Sequence, residues 1–196
     1  PRGSASIDDR SHSGLIDAMF DSLPPFPAPA AAPPARPPAG LTLRPASPAD
    51  LPFFAQIHAE TRAADIAPLP WPAAQKLAFL QEQFRLQHLH YVRAFAGADF
   101  WALGHAKRGA LGRLYLDRSG PEWRIIDVLL ASGAQGSGTG TALLRWIQAQ
   151  AGKAGAKGVA LSVETGNPRA RALYHRLGFV DRVSLTGTHH AMFWRP

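Results

Sequence analysis

Gly133-Ala134-Gln135-Gly136-Ser137-Gly138-Thr139-Gly140 decides the reading of this chain. A stretch that reads as a strand, Trp123 to Leu130, precedes it, and Leu143, Trp146, Ile147 and Ala154 follow at helical spacing. Glycines between a strand and a helix bring backbone N–H groups close to a ligand. The helix dipole adds partial positive charge at the same place, so phosphate binds there. Two familiar phosphate loops do not fit. A P-loop needs Lys and then Ser or Thr after its last glycine, whereas Gly140 is followed by Thr141 and Ala142. The dinucleotide fingerprint G-x-G-x-x-G, started at Gly136, needs glycine at position 141, which is Thr. On this segment alone, a glycine-rich loop without a ligand stays open.

Working outward, Val159 to Val163 reads as the next strand, so Trp123 to Val163 forms a strand-loop-helix-strand unit with a parallel crossover. Before it, Phe100–Leu103, Leu111–Leu116 and Trp123–Leu130 read as an antiparallel meander, with a basic turn at His105–Gly109. Upstream, Leu41–Arg44 alternates like a short strand. Ser47-Pro48 starts a helix expected to end near Arg62, and residues 63–71 read as a loop. Pro72 opens a second helix, with Leu77, Leu80, Phe84 and Tyr91 expected on one face. Downstream, Asn167-Pro168 opens a short helix that stops at Gly178, and strands are expected at Val180–Leu185 and Ala191–Trp194. The expected fold is a mixed α/β domain, with a central sheet of six to seven strands flanked by four helices.

Residues 1–40 read as a disordered tail or linker, and 41–196 as the domain. Between Pro24 and Pro38, eight of fifteen residues are Pro and five are Ala, a composition that favours polyproline II over a packed core. Pro1-Arg2-Gly3-Ser4 resembles the remnant of a cleavable expression tag, which makes residues 1–18 foreign and Met19 the native start. The chain has 196 residues, 46% hydrophobic and 18% charged, which suits one globular domain with an appendage. Cysteine is absent, which excludes disulfides, thiolate metal sites and a cysteine nucleophile. No run of about 18 apolar residues exists, so no membrane partner is expected. The net charge of +7 asks for an anionic partner, but no aromatic-basic motif supports nucleic acid.

Gln135, Gly138 and Gly140 make the pattern Gln-x-x-Gly-x-Gly. Downstream, Asn167-Pro168-Arg169-Ala170-Arg171-Ala172-Leu173-Tyr174-His175-Arg176-Leu177-Gly178-Phe179 fits Asn-x-x-Ala-x-x-Leu-Tyr-x-x-x-Gly-Phe at every fixed position. With these two motifs, residues 41–196 resemble the GNAT family of acetyl-CoA-dependent N-acetyltransferases. The resemblance implies a cytoplasmic enzyme that carries acetyl from acetyl-CoA to a primary amine by direct attack on the thioester. It implies that the backbone of Val128, Leu129 and Leu130 pairs with the pantetheine arm. Gln135, Gly136, Ser137, Gly138, Thr139, Gly140 and Thr141 then wrap the pyrophosphate, and Asn167 contacts the cofactor near its pantetheine. Tyr174 sits near the thioester sulfur as the catalytic acid, and the Leu130 N–H faces the developing oxyanion. Asn167 also reads as a plain N-cap before Pro168. Two positions depart from family patterns: Ser132 replaces a frequent Pro, and Ser162 stands where the ribosomal-protein-acetylating branch carries a catalytic Glu.

An attacking amine must be neutral, yet a lysine-like amine has a pKa near 10, so a base or a water relay is required. Asp127, Glu164, Glu60, Asp65 and Asp117 all remain open for that role. Alternation along the strand puts Asp127 on the face opposite Val128 and Leu130. His88, His90, His189 and His190 form no H-E-x-x-H pattern, and no metal is expected. The acceptor is expected near residues 63–71 and the last two strands, with Trp71, Tyr91 and His189 as wall candidates. A homodimer is admitted. The rival reading is an acyl-CoA-binding regulatory module that has lost catalysis.

Overall fold

The computed structural model describes residues 20–28, 36–183 and 187–196. The tag-like segment, Met19 and residues 29–35 of the proline-alanine run lie outside the described residues. Two compact units are present. One holds the described residues up to Phe26 with Ala46–Ala96, and the other holds those of Pro27–Pro45 with Gly97–Pro196.

In the first unit, a turn of 3-10 helix, Pro48–Asp50, leads into helix α1, Leu51–Ile66. Asp50 caps this start, accepting from the backbone N–H of Ser47 at 2.8 Å and from its hydroxyl at 3.0 Å. Helix α1 runs one turn past the expected end at Arg62. Asp65, read as a loop residue, pairs with Arg62 at 3.2 Å, and Ile66 is buried. Helix α2 spans Ala73–Ala94. Its buried stripe is Leu80, Phe84, His88 and Val92, one residue per turn. Leu77 is 43% exposed and Tyr91 only half-buried, so the expected face is rotated.

Residues 20–26, read from composition as tail, pack within this unit. Phe20 and Leu23 are buried, and Phe20 meets Phe84 edge-on at 6.3 Å. The His88 Nε2–H donates to the Pro24 carbonyl at 2.8 Å. Phe26 stands against His88 at 4.9 Å and Phe54 at 6.2 Å. Proline supplies no donors, but its carbonyl still accepts, and the interspersed phenylalanines supply apolar area.

The second unit is a seven-stranded mixed sheet, ordered β1-β2-β3-β4-β5-β7-β6. Strands β1 (Leu41–Pro45), β2 (Asp99–His105), β3 (Gly109–Asp117) and β4 (Glu122–Leu130) form the antiparallel meander. Helix α3 (Thr139–Lys153) carries the chain to β5 (Gly158–Glu164), which runs parallel to β4. Helix α4 (Pro168–Arg176) follows, and Gly178, at φ +83°, closes it. Strands β6 (Val180–Arg182) and β7 (His189–Trp194) complete the antiparallel edge. Residues 184 and 185, expected in the penultimate strand, lie outside the described residues. The core lies between the sheet and the apolar faces of α3 and α4. Leu114, Leu116, Ile125, Leu143, Ile147, Val159 and Phe179 form its centre.

Two details shape the site. Strands β4 and β5 pair only over Glu122–Ile125 and Gly158–Leu161, although each runs on beyond. At the same point β4 carries a bulge: Ile125 faces Leu116 and Asp127 faces Tyr115, leaving Ile126 as the extra residue. The last part of β4, up to Leu130, therefore has a strand partner on the β3 side and none on the β5 side.

Candidate functional site

The glycine loop sits beyond the end of β4. A short 3-10 turn, Ser132–Ala134, buries Ala134 and turns the chain toward α3. Gly136 at φ +71° and Gly138 at φ +83° are left-handed, a conformation that costs glycine little. Gly138 is the N-cap of α3, and the first in-helix bond is from Ala142 N–H to Gly138 O at 2.9 Å. The N–H groups of Thr139, Gly140 and Thr141 precede that bond and have no intrahelical acceptor. No acidic residue occupies the first turn. A Cβ placed on Gly138 would meet nothing within 4 Å, so the loop faces open space.

Side chains hold the loop in shape. Ser137 donates to the Ala134 carbonyl at 2.8 Å and shares a hydrogen bond with Thr139 at 2.9 Å. Arg108, from the β2–β3 turn, donates from Nη2 to Thr139 Oγ1 at 3.3 Å. Gln135 donates from Nε2 to the Leu130 carbonyl at 3.0 Å, tying loop to strand end. Ala131 N–H bonds the Leu111 carbonyl at 2.8 Å on the β3 side. Alternation along the strand then turns the N–H groups of Leu130 and Val128 to the other side, where β5 has diverged. Val128 and Leu130 pack their side chains on the core, and Asp127 and Leu129 lie on the opposite face, as alternation requires.

Helix α4 supplies the remaining residues. The Asn167 side chain accepts from Ala170 N–H at 3.0 Å, so it is the N-cap that its place before Pro168 suggests. Tyr174 is 8% exposed, packs edge-on against Phe179 at 5.7 Å and belongs to the core that Val128 and Leu130 flank. Its hydroxyl bonds no described residue. Burial, and then the negative charge of Asp127, push its phenol up to about 12, so it stays protonated at neutral pH. Arg169, in the first turn of α4, brings Nη2 within 3.8 Å of where a Cβ on Gly136 would stand.

The carboxylates separate by position. Asp117 precedes the turn before β4, at the opposite end of the strand from the loop, and accepts from Ser119 N–H at 2.9 Å. That geometry removes it from the site. Glu60 accepts from Gln56 at 2.9 Å and Asp65 from Arg62 at 3.2 Å, both within the helical unit. Asp127 and Glu164 flank the divergence of β4 and β5. Among the histidines, His88 belongs to the core of the first unit, and His189 bonds Thr188 at 3.0 Å. Trp71 stacks edge-on with Phe79 at 5.4 Å, and Tyr91 with Phe95 at 6.3 Å.

Sequence reasoning did not single out Arg108, Arg169 or Arg113. Arg108 was visible only as part of a basic turn, and Arg169 fills a variable position of the Asn167 motif. Arg113 is buried at 1% exposure inside a strand, paired with Asp127 at 2.6 Å.

No helix among the described residues is long and apolar enough to cross a membrane. No curated protein is a significant match in sequence. Solved structures share the fold. The PaiA N-acetyltransferase of Thermoplasma acidophilum, in complex with coenzyme A, is 16% identical with a TM-score of 0.60, over 80% of this chain and 99% of that one. An acetyltransferase of Thermus thermophilus is 19% identical with a TM-score of 0.58, over 80% and 97%. The spermidine N-acetyltransferase of Vibrio cholerae, in complex with CoA and spermine, is 18% identical with a TM-score of 0.54, over 80% and 96%. The profile of the acetyltransferase (GNAT) family matches residues 58–179, more than half of the 196, and the chain belongs to that family.

Proposed function

We propose that this protein binds acetyl-CoA and transfers its acetyl group to a primary amine. The observation that carries the reading is the convergence of three features. They are an unpaired β4 edge ending at Leu130, a glycine loop whose helix N-terminus faces open space, and a buried neutral Tyr174 beside that edge. An elongated phosphorylated thioester fits these residues. The loop offers N–H donors and dipole charge to a pyrophosphate, and the edge offers strand-like pairing to an amide-bearing arm. Bound acetyl-CoA supplies the activated acetyl carbonyl.

The chain's own residues do the rest. Residues 136–141 hold the phosphate end, and Gln135 keeps the loop fixed to the Leu130 carbonyl. The Leu130 N–H is the donor for negative charge at the carbonyl oxygen. Tyr174 donates a hydrogen bond to the departing sulfur. Asp127 and Glu164, at the fork, are the carboxylates that take the amine proton through water. The catalytic domain comprises residues 41–196, with the packed segment 20–26 added to it.

The test is direct. Thioester consumption is followed with acetyl-CoA against polyamines, amino acids, aminoglycosides and peptide N-termini, alongside CoA-induced thermal stabilisation. Binding and turnover with at least one amine is the expected result. Binding without turnover on any amine favours a regulatory module, and absence of binding at millimolar CoA overturns the reading.

A further inference from the structure

We infer that Arg108 and Arg169 are phosphate-binding residues of this site, gripping the loop from two sides. Recognition of the thioester then depends on its phosphates and not on its pantetheine arm alone. The inference rests on the acetyl-CoA reading above.

The two arginines come from separate elements. Arg108 lies in the β2–β3 turn and reaches Thr139, the first residue of α3. Arg169 lies in the first turn of α4 and approaches Gly136, at the other end of the loop. Both residues are exposed, and neither guanidinium pairs with a carboxylate among the described residues. Nearby arginines behave differently: Arg113 is neutralised by Asp127 at 2.6 Å and Arg171 by Asp181 at 2.8 Å. Two cations set beside a helix N-terminus repel it and each other unless an anion joins them. A guanidinium meets phosphate oxygens through parallel N–H donors, which lysine cannot reproduce. The hydrogen bond at Thr139 uses one nitrogen of Arg108 and fixes the side chain beside the loop at small entropic cost.

The experiment measures dissociation constants for CoA by titration calorimetry and for pantetheine by competition. The proteins are the unmutated chain, Arg108→Gln, Arg169→Gln, the double variant, and Arg→Lys at each site. Both positions are exposed, so the fold is retained, and a thermal melt without ligand checks that. Each Gln substitution is expected to weaken CoA by about 10–100-fold, the worth of a charge-assisted hydrogen bond, and to leave pantetheine unchanged. Lysine is expected to recover part of the loss. CoA binding within about twofold of the unmutated protein in the double variant would overturn the inference and leave the acetyl-CoA reading standing. Equal losses for CoA and pantetheine would also overturn it, since they would mark a structural role. An unmutated protein that binds no CoA would instead sink the functional reading beneath it.

Discussion

Arg113 on β3 and Asp127 on β4 are joined by a 2.6 Å ion pair beside the point where β4 and β5 diverge. The guanidinium side is 2% exposed and the carboxylate side 18%. A charge buried so deeply needs a counter-charge held against it, and Asp127 supplies one. The bulge at Ile126 brings Asp127 opposite Tyr115, two residues along from Arg113 on the same face of the sheet. Strand irregularity, ion pair and the open edge are thus one arrangement.

The first prediction follows from that pair. Asp127→Ala leaves a buried guanidinium without its counter-charge and is expected to cost about 3–5 kcal/mol. The double variant Arg113→Met, Asp127→Leu is expected to recover most of it, because paired apolar replacements of a buried ion pair are often neutral. Urea unfolding of the three proteins decides. A single-variant loss below about 1 kcal/mol would show that water solvates Arg113.

The second concerns alkaline pH. The Tyr174 phenol ionises at about 12 in the folded protein and at about 10 when unfolded. Between those values the native state holds more protons, so stability must fall as pH rises. The loss approaches about 2–3 kcal/mol by the upper value. Tyr174→Phe should lack this part of the pH dependence, measured by denaturant unfolding at pH 8 and pH 11. Equal slopes in the two proteins would contradict the burial-driven shift. Asp127→Asn should lower the phenol pKa only partway, because burial is the larger cause and the Asp127 charge the smaller.

The third concerns the segment that composition misread. A chain starting at Ala39 loses the buried Phe20 and Leu23 and the His88–Pro24 hydrogen bond. At about 1.5–3 kcal/mol per buried apolar side chain, its melting temperature should fall by at least about 5 °C. Calorimetry against the full chain checks this, and an unchanged melt would mean that the segment contributes nothing.

Local signals carried the reading far. Glycine spacing marked the loop, and period-two and helical patterns placed, in order, the seven strands and four helices found from Leu41 onward among the described residues. What escaped depends on distant partners. Nothing near Arg108 in sequence shows that the β2–β3 turn ends beside Thr139, since that follows from β3 lying antiparallel to β4. The bulge at Ile126 sits inside a single strand-like stretch, between Ile125 and Asp127, and no turn or glycine residue marks it. Helix α1 passes Arg62 and buries Ile66 one turn on, a packing contact that local sequence does not show. Phe26 lies inside the proline-rich window and Phe20 in the tail read before it, although single aromatic anchors decide whether such a segment packs. The candidate site was legible where backbone chemistry makes it, and hidden where side chains from other elements complete it.

The last prediction addresses the backbone at the end of β4. Gly112 lies opposite Leu130, and a Cβ there would run into the carbonyl oxygen of Leu129 and the Cα of Leu130. Only glycine permits β3 to approach this closely, so Gly112→Ala must push the Leu129–Leu130 peptide outward. On the proposed mechanism that peptide carries the N–H facing the reacting carbonyl, and oxyanion donors act only when held in place. Loss of one such donor costs about 10²–10³-fold in rate. Gly112→Ala should therefore lower kcat by at least about tenfold while the loop, several residues on, keeps CoA affinity within a few-fold. Tyr174→Phe should cost no more than about 10²-fold, the low end for general-acid help, because a phenol at about 12 is poorly matched to a thiol near 8.5. Both act on one thioester and lie in the same packed region, so in the double variant the combined loss should fall short of the product of the two. Full activity in Gly112→Ala, with the substitution verified and the protein folded, would show that the Leu130 N–H is not the donor.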